Sequence, residues 1–83
     1  MQILYFAWVR EIIGLESETV QPPESLATIA DLLDWLQARS PAHAQALSDR
    51  ANIRTARDMR FAPPETPLEG AREIAIFPPV TGG

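Results

Sequence analysis

Apolar and polar residues alternate along this chain in several rhythms, and each rhythm predicts a different element. Residues 2–9, Gln-Ile-Leu-Tyr-Phe-Ala-Trp-Val, are β-branched and aromatic with hardly a polar break, which predicts a strand buried on both faces in the middle of a sheet. Arg10 to Glu16 supplies polar residues and Gly14, a turn signal, and Glu18 to Gln21 reads as a short second strand. Together they predict a hairpin with a longish loop. Pro22-Pro23 ends the second strand, because proline has no N–H to give to a ladder.

The clearest helix comes next. Thr28 is placed to cap its N-terminus with Asp31 three residues on, and Ile29, Leu32, Leu33 and Leu36 fall at the i, i+3, i+4, i+7 spacing of one buried stripe. The stripe predicts a helix to about Arg39. Ser40-Pro41 breaks it, and Ala42 to Leu47 reads as a further short helical segment. From Ile53 to Ala62 the pattern weakens to one or two short, rather polar strands, and Pro63-Pro64-Glu65-Thr66-Pro67 is a loop by composition. Glu73 to Phe77 predicts a last strand, with Ile74 and Ile76 on one face and Ala75 and Phe77 on the other.

Several strands around one good helix predict an α+β domain in which the helix packs across one face of a mixed sheet. The first and last strands are the most apolar, so they are expected side by side at its centre. Because one helix covers only one face of a sheet, Trp8, Trp35 and Phe77 are candidates for an exposed docking patch. Trp35 lies off the main stripe of its helix.

Eighty-three residues make one small domain, near the size at which a single core becomes thin. The hydrophobic share of 46% with 22% charged residues predicts a soluble folded chain. The first apolar run is too short to span a bilayer, and no basic segment precedes it as in a signal peptide, so the expectation is a cytoplasmic protein with no membrane partner. A net charge of -4 argues against a nucleic-acid partner, whose phosphates need clustered Lys and Arg. There is no cysteine, which removes disulfides, thiolate metal sites and a cysteine nucleophile. The seven basic residues are all arginines, at 10, 39, 50, 54, 57, 60 and 72.

The inventory for an enzyme is poor. His43 is the single histidine, in an alanine-rich segment with no acidic or hydroxyl partner at a telling spacing, and it reads as a surface residue. Asp31 and Asp34 lie in the first two turns of the helix, where carboxylates favour the positive end of its dipole. Gly14 and Gly70 are isolated turn residues and make no phosphate loop. Arg54, Arg57 and Arg60 predict a solvated surface, with Arg54 and Arg60 on one face of a strand and Arg57 on the other.

The C-terminal Phe77-Pro78-Pro79-Val80-Thr81-Gly82-Gly83 is the part with chemistry in it. Two prolines make a stiff, extended spacer, and two glycines leave the last carboxylate unobstructed by any Cβ. At ordinary glycine usage such a pair falls on the last two positions by chance in roughly 0.5% of chains. An unhindered carboxylate of this kind can be transferred to the α-phosphate of ATP and then displaced by sulfide or persulfide, giving a thiocarboxylate. The lack of lysine reads first as a composition biased to Ala, Arg and Pro, although a chain with such an activated end also gains from having no lysine amines of its own.

The tail, together with Phe6-Ala7-Trp8-Val9-Arg10-Glu11-Ile12-Ile13-Gly14, Pro67-Leu68 and Glu73-Ile74-Ala75, closely resembles the small, sulfur-carrying subunit family of molybdopterin synthase. The resemblance covers essentially the whole chain. It implies a ubiquitin-like β-grasp domain over 1–77 and a tail over 78–83 that inserts into partner active sites. It further implies adenylation of Gly83 by an ATP-dependent activating enzyme, with Gly82 as the clearance residue and Phe77, Pro78, Pro79, Val80 and Thr81 as partner contacts. The chain would hold no permanent cofactor and catalyse nothing alone. In that family the thiocarboxylate delivers sulfur within the large synthase subunit to a cyclic pyranopterin phosphate precursor, in a heterotetramer of two small and two large subunits. The alternatives are a sulfur carrier of thiazole or cysteine synthesis, a ubiquitin-like protein modifier, and an interaction module with an inert tail.

Overall fold

A computed structural model describes residues 1–79 of the chain. Its strands are β1 (Gln2–Tyr5), β2 (Ser17–Thr19), β3 (Arg54–Arg57), β4 (Arg60–Phe61) and β5 (Glu73–Phe77). Its helices are α1 (Ala7–Ile13), α2 (Ile29–Gln37) and α3 (Pro41–Leu47), followed by a 3₁₀ turn at Arg50–Asn52. The strands form one mixed sheet in the order β2-β1-β5-β3-β4, in which β1 and β5 are parallel and the other pairs antiparallel. This is the β-grasp arrangement, with the first and last strands adjacent as their apolar character predicts.

The N-terminal apolar run is shorter as a strand than its composition suggests. Only Ile3 and Tyr5 are buried in β1, and residues 7–13 coil into α1 instead of completing a hairpin loop. A short apolar run has no decisive period, but Val9, Ile12 and Ile13 lie at i, i+3, i+4 and pack on the core, as a helix requires. Gly14 stops this helix in the left-handed region at φ 83°, its N–H donating to the Arg10 carbonyl at 2.7 Å. Ala7 enters it at φ 52°. The antiparallel pairing of β1 with β2 stands, extended by Met1 and Val20 exchanging bonds of 2.8 and 2.9 Å between their main chains.

The helix α2 matches its sequence signature. Thr28 and Asp31 make a reciprocal capping box. The N–H groups of Ile29 and Ala30 are taken up by the carbonyls of Thr66 and Pro64 at 3.0 and 2.8 Å, so the proline-rich loop completes the cap. The backbone N–H groups of Ala27 and Thr28 donate to the Asp31 carboxylate at 3.0 and 3.1 Å and hold it below its ordinary range. Ser40 caps α3 and Pro41 occupies its first turn. Ile29, Leu32, Leu33 and Leu36 of α2, Val9 of α1 and Ala46 and Leu47 of α3 share one core with Ile3, Tyr5, Ile74 and Ile76 of the sheet. All three helices therefore lie on the same face of the sheet. No helix among the described residues is long and apolar enough to cross a membrane.

Candidate functional site

The pairing register assigns every strand residue to a face. Ile3, Tyr5, Ile74, Ile76, Thr55 and Glu18 point toward the helices, and Leu4, Ala75, Phe77, Arg54, Ala56 and Phe61 point away. The outward face has two zones. Around the starts of β1 and β5 it is polar, with the Thr19 hydroxyl donating to Gln2 Oε1 at 2.8 Å and Glu73 alongside. Toward the end of β5 it becomes apolar. Phe61 and Phe77 lie with ring centroids 5.6 Å apart and tilted, next to Leu4, Ala56 and Ala75.

Phe77 is half-buried, whereas Phe61 is 76% exposed on the edge strand. Phe6, just past β1 with its N–H on the Ile76 carbonyl at 3.1 Å, is another exposed aromatic. Sequence reasoning passed over Phe61 and Phe6. The turn that puts Phe61 opposite Ala56 consists of Asp58 and Met59, both at positive φ, with no glycine to announce it. The Asp58 carboxylate holds the turn by accepting from the N–H groups of Arg72 and Glu73, each at 3.0 Å.

The same turn alters the arginine reading. Arg57 and Arg60 are cross-strand partners and share a face, while Arg54 lies on the other. Arg54 folds back, its Nη1 donating to the Ala51 and Ile53 carbonyls at 3.0 and 2.8 Å.

The chain leaves the sheet at the apolar end. Pro78 and Pro79 follow Phe77 directly and border a shallow depression with Trp8 of α1 and Asp49 and Asn52 near the 3₁₀ turn. Trp8 is half-buried against the core. Trp35 is half-buried too, with the Arg39 guanidinium 5.1 Å from its ring, and belongs to the helical side. Of the residues expected to act, Phe77, Pro78 and Pro79 lie together at the end of β5, and Val80, Thr81, Gly82 and Gly83 lie outside the described residues.

His43 is not a surface residue. It is 7% exposed, with Nδ1 2.7 Å from the Ser40 hydroxyl and Nε2 2.7 Å from Glu18 Oε2. The Tyr5 hydroxyl donates to the same Glu18 oxygen at 2.7 Å, and Arg39 reaches Oε1 at 3.3 Å. Partial burial by itself raises the Glu18 carboxyl, but the hydrogen bonds from Tyr5 and His43 and the nearby positive charge outweigh it and hold the group below its ordinary range. Burial, and then the Glu18 carboxylate, push the Tyr5 phenol well up. The cluster ties β1 and β2 to the α2–α3 junction. Sequence spacing missed both partners: the Ser40 hydroxyl, three residues from His43 and within reach of a local pattern, and Glu18, 25 residues away and beyond one.

Comparison with known proteins agrees with this geometry. The ThiS family model matches residues 3–83. The molybdopterin synthase sulfur carrier subunit of Escherichia coli strain K12 is 34% identical over 83 residues, covering 100% of this chain and 99% of that protein. The protein of the same name from Haemophilus influenzae is 32% identical with the same coverage. Among solved structures, SAMP1 from Haloferax volcanii, a small archaeal modifier protein, superposes with a TM-score of 0.71 at 30% identity, covering 100% of this chain and 98% of that one.

Proposed function

The chain belongs to the ThiS family, and from that premise we propose that it is the sulfur carrier subunit of a molybdopterin synthase. The observation that carries this reading is the full-length match to relatives of that name, which takes in the terminal Gly82-Gly83. In this reading residues 1–77 present the tail and residues 78–83 enter partner active sites. The outward face at Leu4, Ala56, Phe61, Ala75 and Phe77 meets the large synthase subunit, and two carriers and two large subunits assemble in the cytoplasm.

The chemistry resides on Gly83. Its carboxylate attacks the α-phosphorus of ATP in the activating enzyme and pyrophosphate leaves. Sulfide then attacks the acyl carbon of the glycyl adenylate, AMP leaves, and a thiocarboxylate remains. Within the large subunit that sulfur forms a bond to a carbon of the pyranopterin precursor as the oxygen on that carbon leaves, and water then cleaves the acyl–sulfur bond, which returns the carrier as a carboxylate and leaves a thiolate on the precursor. Gly82 and Gly83 admit these reactions because no Cβ obstructs the closed sites.

Intact-protein mass spectrometry after incubation with ATP, an activating enzyme and a sulfur source tests this directly. The expected result is a gain equal to sulfur replacing oxygen, localised to the C-terminal peptide. Removal of Gly83 should abolish it and synthase activity while leaving the thermal unfolding transition in place; full synthase activity without Gly83 would refute the assignment. The likeness to SAMP1 favours a second reading, attachment of Gly83 to amines of other proteins. Isopeptide-linked conjugates with no thiocarboxylate would decide for it.

A further inference from the structure

An activated glycyl carbon reacts with deprotonated amines, thiolates and neutral imidazoles, and the chain that carries it is also the nucleophile present at the highest local concentration. Its own inventory of such groups is nearly empty. There is no lysine and no cysteine, and the seven arginine guanidinium groups stay protonated. The one imidazole is closed off, buried with both ring nitrogens engaged by Ser40 and Glu18. Tyr5 is 1% exposed as a residue, and its hydroxyl donates to Glu18.

One primary amine remains, at Met1. Its ammonium donates to the Val20 carbonyl at 2.9 Å as part of the β1–β2 ladder. Gln2 sits beside Glu73 in the parallel β1–β5 pair, so Met1 lies at the start of β5 and the tail departs from the other end. The position keeps this amine from the chain's own tail, and the hydrogen bond to Val20 slows its reaction with the tail of another copy.

Resting on the sulfur-carrier reading, we infer that this chain is a donor only: its folded surface offers no side-chain amine, thiolate or open imidazole to the acyl group of an activated copy, and its Met1 ammonium is held in the β1–β2 ladder. Copies therefore do not link to one another. Any covalent acyl product carries a single unit of this chain, on a nucleophile supplied by another molecule. The step balances as ordinary acyl transfer, in which an acceptor amine loses its proton, forms the amide bond to the Gly83 carbonyl carbon and releases AMP.

Two arms test this on the full chain. In the first, ATP and an activating enzyme are supplied without a sulfur source, and linked chains are sought by intact mass for the native protein and for Arg72→Lys, which places an amine at an exposed position next to β5. Native chains should stay single while the variant links. Linked native chains, or an unlinked variant despite pyrophosphate release, would overturn the inference. In the second arm, N-hydroxysuccinimidyl acetate is added without enzyme. The folded chain should take acetyl only at Met1, and more slowly than the same chain in urea; side-chain acetylation, or equal rates in the two states, would overturn it. Absence of pyrophosphate release in the first arm would count against the carrier reading, and the second arm would still decide the inference.

Discussion

Met59 sits at φ 73° in a two-residue turn and leaves 89% of its surface exposed. A side chain in the left-handed region costs about 1–2 kcal/mol, and this one recovers nothing by packing. Glycine removes the crowding but adds about 0.5–1 kcal/mol of unfolded-state freedom. Met59→Gly is therefore expected to stabilise the domain by about 0.5 kcal/mol, seen as a higher urea midpoint at unchanged slope. A lower midpoint would mean that Met59 makes contacts in solution that outweigh its backbone. Ala7, at φ 52°, is another such residue, and it marks where the chain turns out of β1 into α1.

Between elements, Glu18 is the joint. Its carboxylate receives Tyr5 from β1, His43 from α3 and Arg39 from the α2–α3 junction. Its folded pKa lies below the ordinary value of 4.5, so the folded state binds this proton less readily than the unfolded chain does. The stability it contributes is therefore present above that value and is lost as the pH falls through the folded pKa. Glu18→Gln should cost about 2 kcal/mol at neutral pH and flatten the loss of stability below about pH 4.5. An acid limb as steep in the variant as in the native chain would place the acid sensitivity elsewhere. What the sequence made legible follows the range of the interactions involved. Thr28, Asp31 and the leucine stripe of α2 act within a few residues of one another, and so do Ser40 and Pro41 at the start of α3. The joint at Glu18 unites distant segments, and α1 straddles the end of an apolar run that reads as strand and the start of a polar stretch that reads as a hairpin loop. Phe77 and the Gly82-Gly83 end stood out in the chain itself; Phe61 became part of the outward face only through the Asp58–Met59 turn.

For the whole molecule, the sheet has a helix-covered face that carries the core and a bare face that the proposed function gives to the large synthase subunit. Phe61→Ala should shift stability by less than about 0.5 kcal/mol, because so exposed a ring contributes little to folding, yet weaken binding to the large synthase subunit by roughly 10-fold or more. Urea unfolding checks the first half and calorimetric titration with that subunit the second, and unchanged affinity would remove the outward face from the docking surface. The central place of β5 has a mechanical consequence as well. A partner that draws in the tail pulls on a strand held along one edge by β1 and along the other by β3. Tension along β5 shears both ladders at once and does not peel them bond by bond, so the load spreads over the sheet and the domain serves as an anchor for its own tether.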